Sequence, residues 1–251
     1  MSETNFLFNI ICITETWCSN DEIKSNSNLH LPNFEIIPLE RKIKKRGGGV
    51  LIYIKKNLDY TIRNDLSVSD GDKEIVTVEF LNKDSKNILL SCCNRPPAGD
   101  SENLSMFLKN ELIEKSILEK KKSFIIGDFI LNCLTWNNKF RTFYDQIFEK
   151  GAIPIINRPT RVTNHSATLI DNIITTDIFN SSLRKGIIKT DASDHFPIFF
   201  SIDTATKKTP NKSIKMRKRI INKYNLNSFK EQLSLLHWGH IDFHADANEI
   251  Y

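Results

Sequence analysis

The segment at residues 124–129 reads FIIGDF, a short apolar run that ends on a glycine and a carboxylate. Three consecutive large apolar residues followed by a turn signal predict a buried strand, and Gly127 marks its end. Asp128 follows directly. A carboxylate at the end of a buried strand is a candidate for catalysis or metal binding, although Gly-Asp after a strand is also a common turn.

The same placement recurs at three other apolar segments, at 10–14, 169–175 and 196–202. The side chains that lie at or beside these segments are Glu15, Asp171, Asp194 and His195. Carboxylates that converge from strands onto one edge of a sandwich can hold a hard divalent cation, because Mg²⁺ prefers oxygen ligands. The sequence therefore predicts a hydrolytic site in outline.

Short β-branched and aromatic runs predict at least seven strands. They are Phe6–Thr14, Val50–Ile54, Ile75–Leu81, Ile88–Cys92, Phe124–Ile126, Leu169–Thr175 and Phe196–Ile202. One helix is predicted between Asp100 and Glu119, with Asp100 or Ser101 as its cap, and another along the apolar stripe from Phe140 to Phe148, ending before a left-handed Gly151. Runs of strands separated by helices predict a layered α/β sandwich.

The composition changes after Asp203. Residues 207–223 carry eight lysines and arginines and no acidic residue, which indicates a linker or a basic arm. An amphipathic segment follows, for which Asn227 or Ser228 is the predicted cap and whose apolar residues are Phe229, Leu233, Leu236 and Trp238. We therefore predict a domain at 1–203 and a connecting segment at 204–251.

Net charge, cysteine content and apolar runs exclude few classes of function. A net charge of +5 suits a polyanionic partner but also many proteins without one. The five cysteines are odd in number and include no Cys-x-x-Cys pair, which predicts reduced thiols in an intracellular protein. The apolar stretch at 6–13 lacks the basic start and small-residue cleavage site of a leader, and no later run reaches bilayer length, so we expect a soluble protein that is not secreted and has no membrane association.

Seven short motifs occur in one order and carry a family resemblance. They are Glu15–Trp17 (ETW), Arg46–Val50 (RGGGV), Asn94–Pro97 (NRPP), Gly127–Phe129 (GDF), Arg158–Arg161 (RPTR), Ile170–Ile173 (IDNI) and Ser193–His195 (SDH). Together they resemble the endonuclease/exonuclease/phosphatase superfamily, in the form found upstream of the reverse transcriptase in non-LTR (LINE-like) retrotransposons. The resemblance covers roughly residues 5–203 and implies a four-layer α/β sandwich, two central β-sheets flanked by helices.

The resemblance also implies an activity. Such domains nick DNA by attack of water with Mg²⁺ (or Mn²⁺) as cofactor, and the new end primes reverse transcription. The expected partners are DNA and the cognate reverse transcriptase region, with no membrane and no small-molecule cofactor, and the expected location is nuclear. The segment at 204–251 resembles the connector toward a polymerase that this chain lacks.

Roles for individual residues follow from the resemblance. Glu15 and Asp194 are expected at the metal, while Asp128 orients or deprotonates the attacking water. Asp171 is expected to fix the tautomer of His195, so that His195 stabilises the scissile phosphate. The expected substrate-binding residues are Asn94, Asn132, Thr160 and Arg161. For Glu15, the alternative without a catalytic role is a helix cap.

Three departures from the family pattern bear on activity. The strand and helix that precede the Glu15 position in the family, and that deliver an asparagine to the metal site, are expected to be missing here. Ile130 replaces the asparagine of Gly-Asp-Phe-Asn, and Asn132 points the same way only if the strand continues. Asn94 stands where the family has tyrosine. The alternatives are therefore a catalytically inactive nucleic-acid-binding remnant of a mobile element, or a phosphatase of the same superfamily.

Two further features leave alternatives open. The basic cluster before the three glycines is either a contact to DNA phosphates or a solvated loop. Its members are Arg41, Lys42, Lys44, Lys45 and Arg46. Trp17 and Trp136 are possible base-stacking platforms, but packing in the core or at its rim is the favoured interpretation.

Overall fold

The computed structural model describes residues 8–42, 47–82, 85–191, 193–203 and 223–235. The chain divides into two compact units, Met1–Thr206 and Lys207–Tyr251. The strands of the first unit, within these ranges, are β1 (Ile10–Thr14), β2 (Phe34–Leu39), β3 (Val50–Lys55), β4 (Tyr60–Ile62), β5 (Val68–Ser69), β6 (Glu74–Phe80), β7 (Ile88–Asn94), β8 (Lys122–Asp128), β9 (Ile153–Pro154), β10 (Arg161–Val162), β11 (Ala167–Thr168), β12 (Asp171–Thr175), β13 (Arg184–Ile187) and β14 (Ile198–Ser201). Its helices are α1 (Asn20–Ser25), α2 (Ser101–Phe107), α3 (Glu114–Leu118) and α4 (Asn138–Phe148).

The larger sheet has the order β4-β6-β7-β8-β12-β9, with β5 also paired to β6. Its pairs are antiparallel except β7 and β8, which are parallel and are connected through the helices α2 and α3. A parallel pair needs such a crossover, because a tight turn reverses the chain direction. The register places Asn94 opposite Asp128 and Asp128 opposite Asp171. Three of the predicted site residues therefore lie side by side at one edge of this sheet.

The smaller sheet has the order β1-β3-β2, and β10–β11 and β13–β14 form separate hairpins. Strand β2 was not predicted, because Pro38 interrupts its apolar run and proline is rare inside sheets. The predicted strand Phe6–Thr14 is described from Ile10 onward, while Phe6 lies outside the described residues. The short strands β4, β5, β9, β10, β11 and β13 were also missed.

Apolar side chains hold the elements in layers. Helices α2 and α4 cover one face of the larger sheet, where Leu104 and Phe143 pack in one cluster with Ile125. The other face of that sheet meets the smaller sheet in a second cluster. Strand β3 alternates: Ile52 belongs to this second cluster, while Leu51 packs outward with Ile23 of α1. The order helices, sheet, sheet, helix confirms the predicted α/β sandwich of sheets flanked by helices.

The caps of two helices were predicted correctly. Asp100 accepts a hydrogen bond from the backbone N–H of Glu102 at the start of α2. This helix continues through a π-helical segment (Leu108–Ile113) into α3. Gly151, after α4, has φ +73°, as expected of a left-handed turn after a helix.

The second unit contains helix α5 (Lys223–Leu235). Asn227 and Ser228 lie inside α5, so the predicted cap at these residues is wrong. Leu236, Trp238 and the basic residues before 223 fall outside the described residues. None of the described helices combines the length and apolar character needed to cross a bilayer.

Candidate active site

The edge where β8 and β12 meet carries the central residues. Asp128 ends β8 and Asp171 begins β12 directly opposite it. The approach of β7 to β8 at this edge depends on Gly127, because a Cβ on that residue would lie 1.7 Å from the carbonyl oxygen of Cys93. The glycine of the Gly-Asp-Phe motif therefore allows β7 and β8 to pair up to the site.

His195 contacts Asp171 across this edge. Its Nδ1 lies 3.1 and 3.0 Å from the two carboxylate oxygens of Asp171. The hydrogen bond to Asp171 raises the pKa of His195, against the opposing effect of burial. Asp171 therefore favours the charged imidazolium and fixes the orientation of the ring.

Asp128 is 8% exposed, and burial together with the charge of Asp171 raises its pKa to about 6. One oxygen, Oδ1, accepts a hydrogen bond of 2.9 Å from the backbone N–H of Ile130. Asp128, Asp171 and His195 each offer a ligand atom within 4.8 Å of the others. We call these three residues the acid–imidazole group.

The acid–imidazole group fits a divalent cation in its donor chemistry. Its two carboxylates offer the oxygen ligands that Mg²⁺ or Mn²⁺ prefers, while His195 in its charged form is a hydrogen-bond donor and not a ligand. The raised pKa of Asp128 means that the protein neutralises its charge incompletely. A cation held between Asp128 and Asp171 would supply the missing positive charge.

Glu15 belongs to a different set of contacts. Its Oε2 accepts from the backbone N–H of Gly48 at 2.8 Å and from Nε1 of Trp17 at 2.9 Å. Its Oε1 accepts from Nδ2 of Asn94 at 3.0 Å. Within the part of the chain that the structure describes, Glu15 does not join the acid–imidazole group. The alternative role as a cap for α1 is wrong, since Ser19 caps that helix.

Two residues outside the predicted metal and catalytic residues complete this second set. Glu74, at the start of β6, is fully buried, and its Oε2 accepts from Gly49 N–H at 2.9 Å and Asn94 Nδ2 at 2.8 Å. Arg41 donates from Nε to Oε1 of Glu74. We call Arg41, Glu15, Glu74 and Asn94 the Arg41 cluster. An acidic residue that starts an otherwise buried strand was the signal for Glu74 in the sequence.

Asn94 is held as a structural donor rather than presented as a surface contact. It is fully buried, and its Nδ2 lies between the carboxylates of Glu15 and Glu74. Its Oδ1 is buried and has no hydrogen-bond partner among the described protein atoms. The predicted contact of Asn94 with substrate stays a prediction.

Asp194 and Arg161 contact each other. Nε of Arg161 lies 2.8 Å from Oδ2 of Asp194, and about half of each side chain is exposed. The hydrogen bond from Arg161 lowers the pKa of Asp194. The predicted metal role of Asp194 and substrate role of Arg161 stay predictions.

Thr160 is fully buried, and its Oγ1 accepts from the backbone N–H groups of Ile170 and Asp171 at 3.3 and 3.1 Å. This geometry positions the start of β12. The predicted contact of Thr160 with substrate stays a prediction, and the side chain has no exposed surface for it.

The chain after Asp128 differs from the expectation for Asn132. Strand β8 ends at Asp128, and Ile130 has φ +49°, so the strand does not continue to Asn132. The Asn132 side chain is used in its own loop: its Oδ1 accepts from the N–H groups of Leu134 and Leu169. The premise on which Asn132 was predicted to replace the family's asparagine is therefore wrong.

Ile130 lies in the left-handed region that asparagine and glycine adopt far more readily than a β-branched residue. Arg95 holds this conformation, because its guanidinium donates to the carbonyl oxygens of Phe129 and Ile130 at 2.6 and 2.9 Å. Its backbone N–H also donates to the carbonyl of Asp128. Arg95, from the Asn-Arg-Pro-Pro motif, is thus a positioning residue for the Asp128 loop.

The contacts of Arg41 and Trp136 bear on the alternatives left open for the basic cluster and for the tryptophans. Arg41 is ion-paired, Lys42 is described, and Lys44, Lys45 and Arg46 lie outside the described residues. Trp17 and Trp136 are 60% and 62% exposed. Trp136 packs edge-on against Phe140 and Tyr144, which is packing at the rim of the core.

The fold is shared with solved nuclease structures. The endonuclease domain of TRAS1, a telomere-specific non-LTR retrotransposon, superposes with a TM-score of 0.60 at 16% identity, over 77% of this chain and 85% of that one. The catalytic domain of Xenopus laevis APE2 gives 0.57 at 15% identity, over 76% and 83% of the two chains. The AP endonuclease LMAP from Leishmania major gives 0.54 at 14% identity, over 76% and 77%.

No protein-family model matches the chain. No curated protein sequence matches it either. The structural likeness, at these low identities, establishes a fold in common with these endonucleases. The resemblance seen in the seven motifs is confirmed at that level.

Proposed function

We propose that the chain is a Mg²⁺- or Mn²⁺-dependent endonuclease domain that hydrolyses a phosphodiester bond in DNA. The observation that carries this proposal is the acid–imidazole group at the sheet edge, on a fold shared with domains named as endonucleases. The net charge of +5 is consistent with a polyanionic substrate.

The residues of the acid–imidazole group have properties that suit this reaction. Burial and the charge of Asp171 raise the pKa of Asp128 in the metal-free protein, and its carboxylate is placed to orient or deprotonate the attacking water. His195, whose charged form Asp171 favours, would stabilise negative charge on the scissile phosphate. A divalent ion held by Asp128 and Asp171 would supply further charge stabilisation at the phosphate.

We extend the proposal to retrotransposition. In this proposal the nick supplies a DNA end that primes reverse transcription in the nucleus, and the segment at 204–251 connects the domain at 1–203 to a reverse transcriptase region. Support comes from the order of the seven motifs and from the likeness to the TRAS1 endonuclease domain.

A second candidate is a catalytically inactive remnant that binds nucleic acid. It is favoured by Ile130 in place of asparagine and by the contacts that occupy both oxygens of Glu15. Loss of one transition-state donor costs on the order of 10² to 10³ in rate. Such a remnant would bind DNA with an affinity that falls steeply as salt rises, without cutting it.

Relaxation of supercoiled plasmid with Mg²⁺ separates the two candidates. We expect nicking by the wild-type chain, faster nicking by Ile130→Asn, and loss of nicking in His195→Ala. The matched control is His165→Ala, because His165 is exposed in the β10–β11 turn. Salt-sensitive DNA binding without nicking in the wild type and in Ile130→Asn alike would establish the remnant instead.

A further inference from the structure

Trp17 exposes a large aromatic side chain beside the candidate active site. It follows Glu15 by two residues and is 60% exposed. Its Nε1 donates to Glu15, which also accepts from Asn94. Asn94 in turn lies opposite Asp128 in the ladder between β7 and β8. The indole therefore lies next to the sheet edge that carries the proposed catalytic residues.

The indole ring is held in one orientation. Its Nε1 lies 2.9 Å from Oε2 of Glu15, and the backbone N–H of Trp17 donates to the carbonyl oxygen of Gly48 at 2.9 Å. The ring also packs on Gly47, where an added Cβ would lie 3.2 Å from Cε2 of the indole. These contacts use the polar tip and one edge of the ring, while most of its surface stays exposed.

Both the backbone and the exposure of Trp17 cost stability. Its φ is +58°, in the left-handed region that bulky residues rarely adopt. Strain of this kind persists only where surrounding contacts enforce it, and it clusters at sites that hold a ligand. An exposed indole also loses the favourable free energy that burial of its apolar surface would give. Local packing therefore does not account for Trp17, whereas a ligand that covers the ring does.

An exposed and oriented aromatic ring beside a phosphodiester-cleaving site suits a nucleobase. Every base has a π-face, and proteins that bind unpaired strands combine aromatic platforms with positive charge. Lys44, Lys45 and Arg46 directly precede Gly47 in the sequence, so the sequence supplies such charge next to the glycine that the indole packs on. In a paired duplex the bases stack on one another, and only a base that leaves the stack can offer a face to a side chain.

We propose that Trp17 stacks on an unpaired nucleobase next to the scissile phosphate, so that the preferred substrate is a DNA duplex with an unpaired base at the cleavage position. Trp17 is then a specificity-determining residue, which selects the substrate and takes no part in breaking the bond. Glu15 orients the ring through its hydrogen bond to Nε1. The inference rests on the proposed function in taking DNA as the ligand.

The test is DNA binding in EDTA, which prevents metal-dependent nicking. Fluorescence anisotropy compares duplexes of one sequence that are fully paired, carry a single-nucleotide bulge, or carry the same bulge as an abasic residue. The two bulges share a backbone and differ only in the base. We expect the wild-type chain to bind the base bulge about tenfold more tightly than the abasic bulge, within the range for stacking of one base on an aromatic ring. Trp17→Ala should bind the two bulges within about twofold of each other, and Trp17→Phe should keep most of the preference.

Melting curves establish first that both variants at Trp17 are folded. Trp136→Ala is the matched control, since Trp136 is 62% exposed but packs edge-on against Phe140 and Tyr144, and it should keep the preference. A second measurement uses Trp136→Phe/Trp238→Phe, which leaves Trp17 as the single tryptophan of the chain. The base bulge should quench its emission, because stacking brings the base into contact with the ring, and the abasic bulge should not.

The outcomes separate the two proposals. Equal affinity of the wild type for the two bulges, or a preference that survives in folded Trp17→Ala, would overturn the role of Trp17 even if the wild type nicks plasmid. A preference for the base bulge that depends on Trp17 would support it, even if no variant cuts DNA and the endonuclease proposal fails.

Discussion

Two groups of charged residues in this protein are built in opposite ways. The first, the Arg63 network, joins three cations to three carboxylates: Arg63, Lys115 and Lys121 with Asp65, Glu79 and Glu119. The pKa of each of its three carboxyl groups is lowered. In the acid–imidazole group two carboxylates share one imidazole, and the pKa of Asp128 is raised.

The chain uses charge for stability in the first group and keeps charge for a ligand in the second. In the Arg63 network every carboxylate meets a cation, so the charged form is favoured and the contacts stabilise the fold. Asp128 is buried beside another carboxylate, which costs stability in the isolated protein. Perturbed pKa values of this kind are characteristic of functional sites.

The largest expected effect is that of Asp128→Asn. We expect the nicking rate to fall by about 10³, within the range for loss of a general base, while the free energy of unfolding at pH 7 rises by about 2 kcal/mol. The rise follows from removal of a buried, poorly neutralised charge. Plasmid kinetics and urea unfolding measure the two effects. A loss of stability in Asp128→Asn would show that the surrounding protein already compensates the charge of the Asp128 carboxylate.

Glu79→Gln should have the opposite effects to Asp128→Asn: it should lower the stability of the fold and leave the nicking rate nearly unchanged. Its side chain is 8% exposed and pairs with Arg63 and Lys121. Removal of one partner of such a pair typically costs about 3 kcal/mol, so the midpoint of urea unfolding should fall. Nicking well below the melting temperature should stay within about twofold of wild type, because Glu79 belongs to the Arg63 network alone. A large loss of rate in the folded variant would contradict the separation of the two groups.

These contrasts also show how far the sequence could go. The strand ends that carry Asp128 and Asp171 were predictable, because apolar runs and a turn glycine are local signals. The partners of Glu15 were not, since Arg41 and Asn94 contact it from positions distant in sequence, and Glu74 pairs with both of them. A charged residue next to a strand does not reveal whether it is buried. In the structure Arg41 is the counterion of buried Glu74. From the sequence, a contact to DNA phosphates and a solvated loop were equally favoured for the basic cluster that contains Arg41.

The turn after Asp128 was missed for a different reason. Period-two reasoning placed Asn132 on the same side as residue 130, but it holds only while the chain stays extended. Positive φ at Ile130 breaks that condition. An isoleucine gives no sequence signal for a left-handed residue, because it disfavours that conformation.

Substitutions that relieve the left-handed backbone at Ile130 should have a smaller effect, on the free energy of unfolding. Ile130→Asn and Ile130→Gly should each raise the free energy of unfolding by about 1 kcal/mol, because strained left-handed residues cost about that amount. Ile130→Val is the matched control, since valine is also β-branched and should leave stability unchanged. Urea unfolding of the three variants measures this, and equal stability of all three would exclude strain at this position.

The smallest expected effect is the acid response of Glu119. Arg63 lowers the pKa of this carboxyl to about 2 from an ordinary value of 4.5. A lowered pKa contributes stability above pH 4.5 that is lost as the pH falls toward 2. Because the side chain is 27% exposed, we expect less than about 1 kcal/mol. Urea unfolding at pH 5 and pH 3 should show a shallower loss for Glu119→Gln than for wild type, and equal slopes would contradict the assignment.

The most direct test of the incompletely neutralised site is a titration of the Asp128 carboxyl carbon by NMR in the metal-free protein. We expect a midpoint near pH 6, a lower midpoint in Asp171→Asn, and a shift to lower pH when Mg²⁺ is added. A midpoint near the ordinary value of 3.8 that does not respond to Mg²⁺ would contradict it.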